Sequence, residues 1–161
     1  MFVGILIFAR KLDWIRRIGL SFLLPYLFLV FAVTVFLRSS ADGYNLILEP
    51  FKSYREYYTN DFTWFQIRAN VLLFMPIGFF LPMVLKKPFF MPLIVGVGVS
   101  VTIEFLQLIL RRGTCETDDV ISNSIGLLIG FMVFWTLKAA FLALKYLIIS
   151  LHKNYKDKHR G

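Results

Sequence analysis

Residues 19–37 read GLSFLLPYLFLVFAVTVFL, a run of 19 residues without a charge that is bounded by Arg16-Arg17 and Arg38. At a rise of about 1.5 Å per residue, a helix of this length crosses the roughly 30 Å hydrocarbon core of a bilayer. Three further apolar runs follow along the chain, at residues 69–85, 89–110 and 120–137. The sequence therefore predicts an all-α integral membrane protein, a bundle of four transmembrane helices in a single domain of residues 1–161.

Composition favours a membrane protein over a soluble domain. The chain has 58% hydrophobic and only 17% charged residues, whereas soluble domains carry about 45–50% apolar and about 25% charged residues. The net charge of +8 does not indicate nucleic-acid binding, because the basic residues flank the apolar runs instead of forming a face of their own. We therefore expect the lipid bilayer as a partner and no nucleic acid.

The distribution of Lys and Arg predicts the orientation in the membrane. With cytoplasmic N- and C-termini, twelve of the 18 basic residues lie inside and five outside, with Arg68 at the outer end of the second run. This bias is the one that membrane proteins show. A fifth crossing at residues 139–151 would place the basic tail outside, so this segment either extends the fourth helix or lies on the membrane surface. Residues 2–14 are typical of an interfacial amphipathic helix, and residues 152–161 of a flexible basic tail.

Polar residues within the apolar runs are the candidate functional residues. Glu104 is the most informative of them, because a carboxylate at that depth costs roughly 2.5–3.5 kcal/mol on insertion scales and usually faces a partner or a cavity. Helical spacing places Gln107 and Arg111 on the same stripe as Glu104. In the predicted orientation, the candidate binding residues all lie in the outer half of the bilayer or at its rim: Arg68, Asn70, Glu104, Gln107, Arg111, Asp118, Asp119 and Asn123. Their convergence predicts a polar pocket that opens outward.

Structural interpretations of the same residues stay open. Glu104 can pair with a buried cation and hold helices together. Asp118 and Asp119 also suit a helix N-terminus electrostatically. Gly126 and Gly130 lie on one face with Asp119 and form a small-xxx-small pattern, which mostly indicates close helix packing.

Several kinds of chemistry lack the residues that they need. Both histidines, His152 and His159, fall at the cytoplasmic end, so no Ser-His pair can form at the outer site. There is no HExxH motif and no cysteine cluster, which argues against zinc. Carboxylates at residues 116–119 could hold Mg²⁺ or Ca²⁺, but three acids in a loop are usually solvated. We expect no metal and no cofactor, and Cys115, the only cysteine, excludes an intrachain disulfide.

The polar residues fall in three short segments: NVLLFMPIG at 70–78, EFLQ at 104–107 and DDVISNSIG at 118–126. Their order and spacing, with Asn45-Leu46 and Pro50-Phe51 upstream, resemble the VanZ-like family over more than half of the chain. The resemblance implies a multi-pass protein of the cell membrane of a Gram-positive bacterium. It also implies low-level resistance to teicoplanin-type lipoglycopeptide antibiotics, with the drug or a lipid-linked cell-wall precursor as a ligand.

Three classes of function are consistent with this pattern. The first is a non-enzymatic membrane factor that lowers access of the drug to the cell surface. The second is an intramembrane enzyme that modifies a lipid or lipid-linked substrate, with Glu104 as general base and Arg68 or Asn70 holding an anionic group. Transport of a small molecule has less support, because four helices enclose a narrow lumen unless the protein oligomerises.

Overall fold

The computed structural model describes residues 13–40, 43–56, 61–85 and 90–158. Along the chain, its elements are α1 (Trp14–Phe31), a π-helical segment (Ala32–Phe36), β1 (Asn45–Ile47), α2 (Lys52–Glu56), α3 (Asp61–Val84), α4 (Met91–Leu110), β2 (Thr114–Glu116) and α5 (Thr117–Lys158). The structure is 83% helical. The four long helices, α1 with its π-helical segment, α3, α4 and α5, have the length and apolarity needed to cross a membrane. The predicted fold of four membrane-spanning helices is therefore confirmed.

Two helices continue well beyond the apolar runs that predicted them. Helix α3 begins at Asp61 instead of residue 69, because residues 61–68 contain no Gly or Pro and Asp61 suits the first turn. Helix α5 runs to Lys158, so residues 139–151 extend the fourth helix, and the first part of the segment expected to be flexible is helical. No Gly or Pro follows Gly130 before the end of this helix. The interfacial helix expected at residues 2–14 lies almost wholly outside the described residues.

Helices α3 and α5 touch backbone to backbone. A Cβ atom added at Gly126 would overlap the backbone of Val71 on α3, and one added at Gly78 would overlap the backbone of Leu127 on α5. Gly130 lies against α3 in the same way. The small-xxx-small pattern therefore serves close packing, as such patterns do in membranes. The apolar core beside this contact contains Leu23, Val30, Val35, Phe74, Ile77, Leu81, Ile103 and Leu127.

The connections at one end of the bundle, residues 37–40, 43–56 and 111–116, form what is called here the loop end. Strands β1 and β2 pair in parallel at this end, with Asn45 opposite Thr114 and Ile47 opposite Glu116. A parallel pair requires a long connection between its strands, and here α2, α3 and α4 supply it. This small sheet was not predicted, and it ties the segment after α1 to the segment between α4 and α5.

The last turn of the first membrane helix is also irregular. The amide of Leu37 donates to the carbonyl of Ala32 at 2.8 Å, the five-residue spacing of a π-helix. The carbonyl oxygen of Thr34 lies in this last turn, where carbonyls lack partners within the helix. It accepts a hydrogen bond from Nε2 of Gln107 at 2.8 Å. The end of α1 is thus attached to α4 by a polar side chain.

The contact between α3 and α5 predicts a difference between two glycine substitutions. Gly130→Ala should lower the free energy of unfolding by about 1–3 kcal/mol, because the added methyl group overpacks against the α3 backbone. Gly98→Ala is the control, since a Cβ atom there meets nothing within 4 Å and Ala favours helix. Thermal unfolding of both purified variants in one detergent measures the difference. Equal midpoints would contradict the backbone contact.

Candidate functional site

Four carboxyl groups lie at the loop end, where α5 begins. Glu104, Asp118 and Asp119 are buried and Glu116 is half-buried. The N-terminus of a helix carries unpaired N–H groups and a partial positive charge, both of which favour nearby anions. This local field accounts for acidic side chains gathered at one helix end in an otherwise apolar bundle.

Asp118 attaches the first loop to the bundle. Its Oδ1 accepts a hydrogen bond from the amide of Phe51 at 2.6 Å, and its Oδ2 accepts one from the amide of Ser53 at 2.7 Å. The hydroxyl of Ser53 also donates to Oε2 of Glu116 at 3.2 Å. Both oxygens of Asp118 therefore serve the backbone around the start of α2, and the role of this residue is to hold that short helix in place.

Asp119 links three helices. Its Oδ1 accepts a hydrogen bond from Nδ2 of Asn70 on α3 at 2.7 Å, and its Oδ2 lies 3.8 Å from Nη1 of Arg38 at the end of α1. The guanidinium of Arg38 packs against Gly113, where a Cβ atom would collide with Nε. Gly113 has a φ of 81°, a conformation that glycine adopts without strain.

Glu104 is 4% exposed and lies beside the first residues of α5. Its Oε2 accepts a hydrogen bond from the amide of Glu116 at 3.1 Å. Within the described part of the chain, no cation lies within ion-pair distance of this carboxyl group. Arg68 is exposed and lies over the ring of Trp64, with 4.7 Å from its Cζ to the ring centroid. The structure thus does not pair Arg68 with Glu104.

Gln107 and Asn123 are buried, and each donates one hydrogen bond. Nε2 of Gln107 donates to the carbonyl of Thr34, and Nδ2 of Asn123 donates to Oγ of Ser100 at 2.9 Å. Their carbonyl oxygens are buried without a hydrogen-bond partner among the described residues. A buried polar atom without a partner costs about 1–3 kcal/mol, so these two amides are the least satisfied part of the site.

Arg111 does not lie on the helical face of Glu104 and Gln107, where helical spacing had predicted it. Helix α4 ends at Leu110, and Arg111 adopts a left-handed conformation with φ 53° and ψ 46°. Its exposed guanidinium stacks on the ring of Tyr44, with 4.3 Å from Cζ to the centroid, and donates to the Tyr44 hydroxyl at 3.1 Å. The spacing argument fails here because it assumes that the helix continues.

Six of the eight predicted residues therefore come together, and Arg68 and Arg111 do not. The six are called the polar cluster: Asn70, Glu104, Gln107, Asp118, Asp119 and Asn123. Sequence reasoning missed Arg38, Ser100 and Ser122. Ser100 precedes Glu104 by one helical turn, which is a signal that could have found it. Arg38 had no such signal, because it reads as one more basic residue flanking an apolar run.

Two different segments of the loop end, α2 and β2, add a tyrosine and a cysteine beside the polar cluster. The hydroxyl of Tyr54 lies 2.8 Å from Oγ of Ser122, which itself donates to the carbonyl of Asp118 at 2.8 Å. Burial raises the pKa of Tyr54, so its hydroxyl stays protonated at neutral pH. Cys115 in β2 is half-buried. Burial raises the pKa of its thiol, and the negative charge of Glu104 acts in the same direction.

The carboxyl groups of the loop end do not form a metal site among the described residues. In residues 13–40, 43–56, 61–85 and 90–158, no three His, Cys, Asp or Glu side chains are arranged to hold a metal ion. The amides of Phe51 and Ser53 occupy both oxygens of Asp118. Asp119 accepts from the side chain of Asn70, and Glu116 accepts from the hydroxyl of Ser53.

Asp118→Ala should release the first loop while leaving the bundle folded. The substitution removes two hydrogen bonds to a charged acceptor, each worth about 1.5–3 kcal/mol. Amide hydrogen exchange measured by mass spectrometry should therefore speed up in residues 43–56 and stay unchanged in α3 and α5. Glu49→Ala is the matched control, because Glu49 is exposed and pairs only with exposed Arg55 among the described residues. Unchanged exchange in Asp118→Ala would refute the anchoring role.

Comparison with known proteins identifies the family of this chain. Residues 20–141 match the family model described as VanZ/LLP1. The matched part contains the loop end and the whole polar cluster. No curated protein and no solved structure shows a significant match. Because the family model covers most of the sequence, the chain belongs to the VanZ/LLP1 family.

Proposed function

We propose that this chain is a teicoplanin resistance protein of the VanZ type, which confers low-level resistance by lowering access of lipoglycopeptide antibiotics to the outer cell surface. Membership of the VanZ/LLP1 family is consistent with a role in antibiotic resistance. The observation that carries the proposal is the position of the polar cluster, with the loops that it anchors, at a single end of an apolar bundle. In the proposed orientation, with both termini in the cytoplasm of a Gram-positive cell, this end faces outward.

The exposed residues of the loop end determine which groups a ligand could contact first. The polar cluster is largely engaged with its own loops, so a drug or lipid-linked precursor would first meet the surface around it. Arg68 and Arg111 are both exposed at this end, and each stacks on an aromatic ring. A guanidinium held against an aromatic ring offers directed donors with little loss of side-chain entropy. The cluster would position this surface, and the two arginines would contact the ligand.

An intramembrane enzyme with Glu104 as general base is the alternative. Its support is a buried carboxyl group at a helix N-terminus, with no cation within ion-pair distance among the described residues. A general base must come within hydrogen-bond reach of its substrate. At 4% exposure, Glu104 would be reached only after β2 moved away. The geometry thus supports the non-enzymatic role better.

Glu104→Gln separates the two candidates in cells that express the protein. Glutamine can still accept the amide of Glu116 but cannot act as a base. We expect teicoplanin resistance to persist in Glu104→Gln. It should fall in Asp119→Ala, because this variant loses the hydrogen bond to Asn70 and the ion pair with Arg38. Growth inhibition by teicoplanin and by vancomycin is the measurement, with the amount of membrane protein checked by blotting. Loss of resistance in Glu104→Gln at normal protein level would favour the enzyme.

Lipid analysis gives the enzyme a second, independent test. Extracts of cells with and without the protein should have the same lipid composition by mass spectrometry. A lipid species that depends on expression and disappears in Glu104→Gln would overturn the non-enzymatic proposal.

Thiol labelling tests the orientation. In a Cys115→Ser background, Leu48→Cys should react with a membrane-impermeant maleimide in intact cells, and Leu151→Cys only after permeabilisation; both positions are exposed. Cys115 in the unmodified chain should react more slowly than Leu48→Cys at neutral pH. Its raised pKa lowers the thiolate fraction, so the rate should rise with pH. The reverse pattern for positions 48 and 151 would place the loop end in the cytoplasm.

A further inference from the structure

An open groove of about 380 Å³ runs between the end of α1 and the outer face of α3. Most of its wall is apolar, formed by residues such as Leu37, Phe65 and Leu73. Its polar lining comes from Thr34, Arg38, Ser39, Gln66 and Asn70. Asp119 contacts two of these side chains, Arg38 and Asn70. The groove is therefore amphipathic, and Arg38 is the cation in its wall.

Arg38 has unused binding capacity. Its contact with Asp119 is long, at 3.8 Å, and its side chain is 26% exposed. Among the described residues, the guanidinium donates no hydrogen bond. Gly113 on one side and Asp119 on another fix its position, so the remaining N–H donors are directed without further ordering. Such a group is suited to a phosphate or carboxylate, which it can bind through two parallel hydrogen bonds.

We propose that this groove binds an anionic phospholipid of the surrounding bilayer, with an acyl chain along Leu37, Phe65 and Leu73 and the phosphate at Arg38. The walls belong to helices that cross the membrane, so lipid is the amphiphile that surrounds the groove at high concentration. The volume lies at the low end of the roughly 300–1,000 Å³ typical of ligand pockets, so the open groove would cover part of one acyl chain and leave the remainder in the bilayer. This inference concerns lipid binding and does not rest on the resistance proposal.

Photocrosslinking in nanodiscs of phosphatidylcholine tests the site in the full-length protein. The probe is a trace of phosphatidylglycerol with a diazirine on one acyl chain, compared with phosphatidylcholine that carries the same chain. Peptide mass spectrometry should find crosslinks concentrated on the groove walls. The anionic probe should exceed the zwitterionic one there by about fivefold, the factor that corresponds to about 1 kcal/mol for one basic residue beside anionic lipid.

Matched variants identify the source of the preference. Arg38→Gln should reduce the anionic probe to the level of the zwitterionic one, whereas Arg55→Gln, an exposed arginine of the same loop end, should not. Arg38→Gln also disturbs Asp119, so Ala69→Phe provides a second test: it fills the groove, keeps the Arg38–Asp119–Asn70 contacts, and should suppress both probes.

Two results would overturn the proposal. They are crosslinks spread evenly over the outer faces of α1 and α3, and an anionic preference that survives Arg38→Gln.

Discussion

The direct contact between the backbones of α3 and α5 is the constraint on which the rest of the structure depends. Gly78, Gly126 and Gly130 remove the side chains that would otherwise separate the two helices. In lipid there is no hydrophobic force between helices, so close van der Waals contact and interhelical hydrogen bonds determine how they associate. This contact places the first turn of α5 beside the middle of α3. Without it, Asn70 could not reach Asp119.

The polar cluster extends the same constraint to the other elements. Asp119 joins α5 to α3 and to the end of α1, Gln107 joins α4 to the last turn of α1, and Asp118 joins the bundle to α2. Because an unpaired polar atom is expensive in an apolar environment, each of these bonds strongly favours one arrangement of its partners. These bonds thus attach the segments of the loop end to the bundle.

Helix number and membrane character could be predicted from the sequence, because long apolar runs have one stable outcome in a bilayer. The shared face of Asp119, Asn123, Gly126 and Gly130 could also be predicted, since helical spacing holds within one helix. Spacing could not predict what happens where a helix ends. Arg111 therefore turns away from Glu104, and the π-helical segment and the β1–β2 pair have no local signature. The role of Arg38 depends on which segments meet in space, because its partners Asp119 and Gly113 are far away in the sequence, and a single sequence does not encode this locally.

Helix α5 has 42 residues, which at about 1.5 Å per residue is about 63 Å, twice the roughly 30 Å hydrocarbon core. Its first half is seated on α3, but residues 136–152 are exposed around the whole circumference and are mostly apolar. Exposing such a surface to water is unfavourable, because burying one large apolar side chain gains roughly 1.5–3 kcal/mol of free energy. Where the second half of α5 lies therefore depends on whether lipid or water surrounds it. The conformation of this part of the chain is in this respect a joint property of polypeptide and membrane.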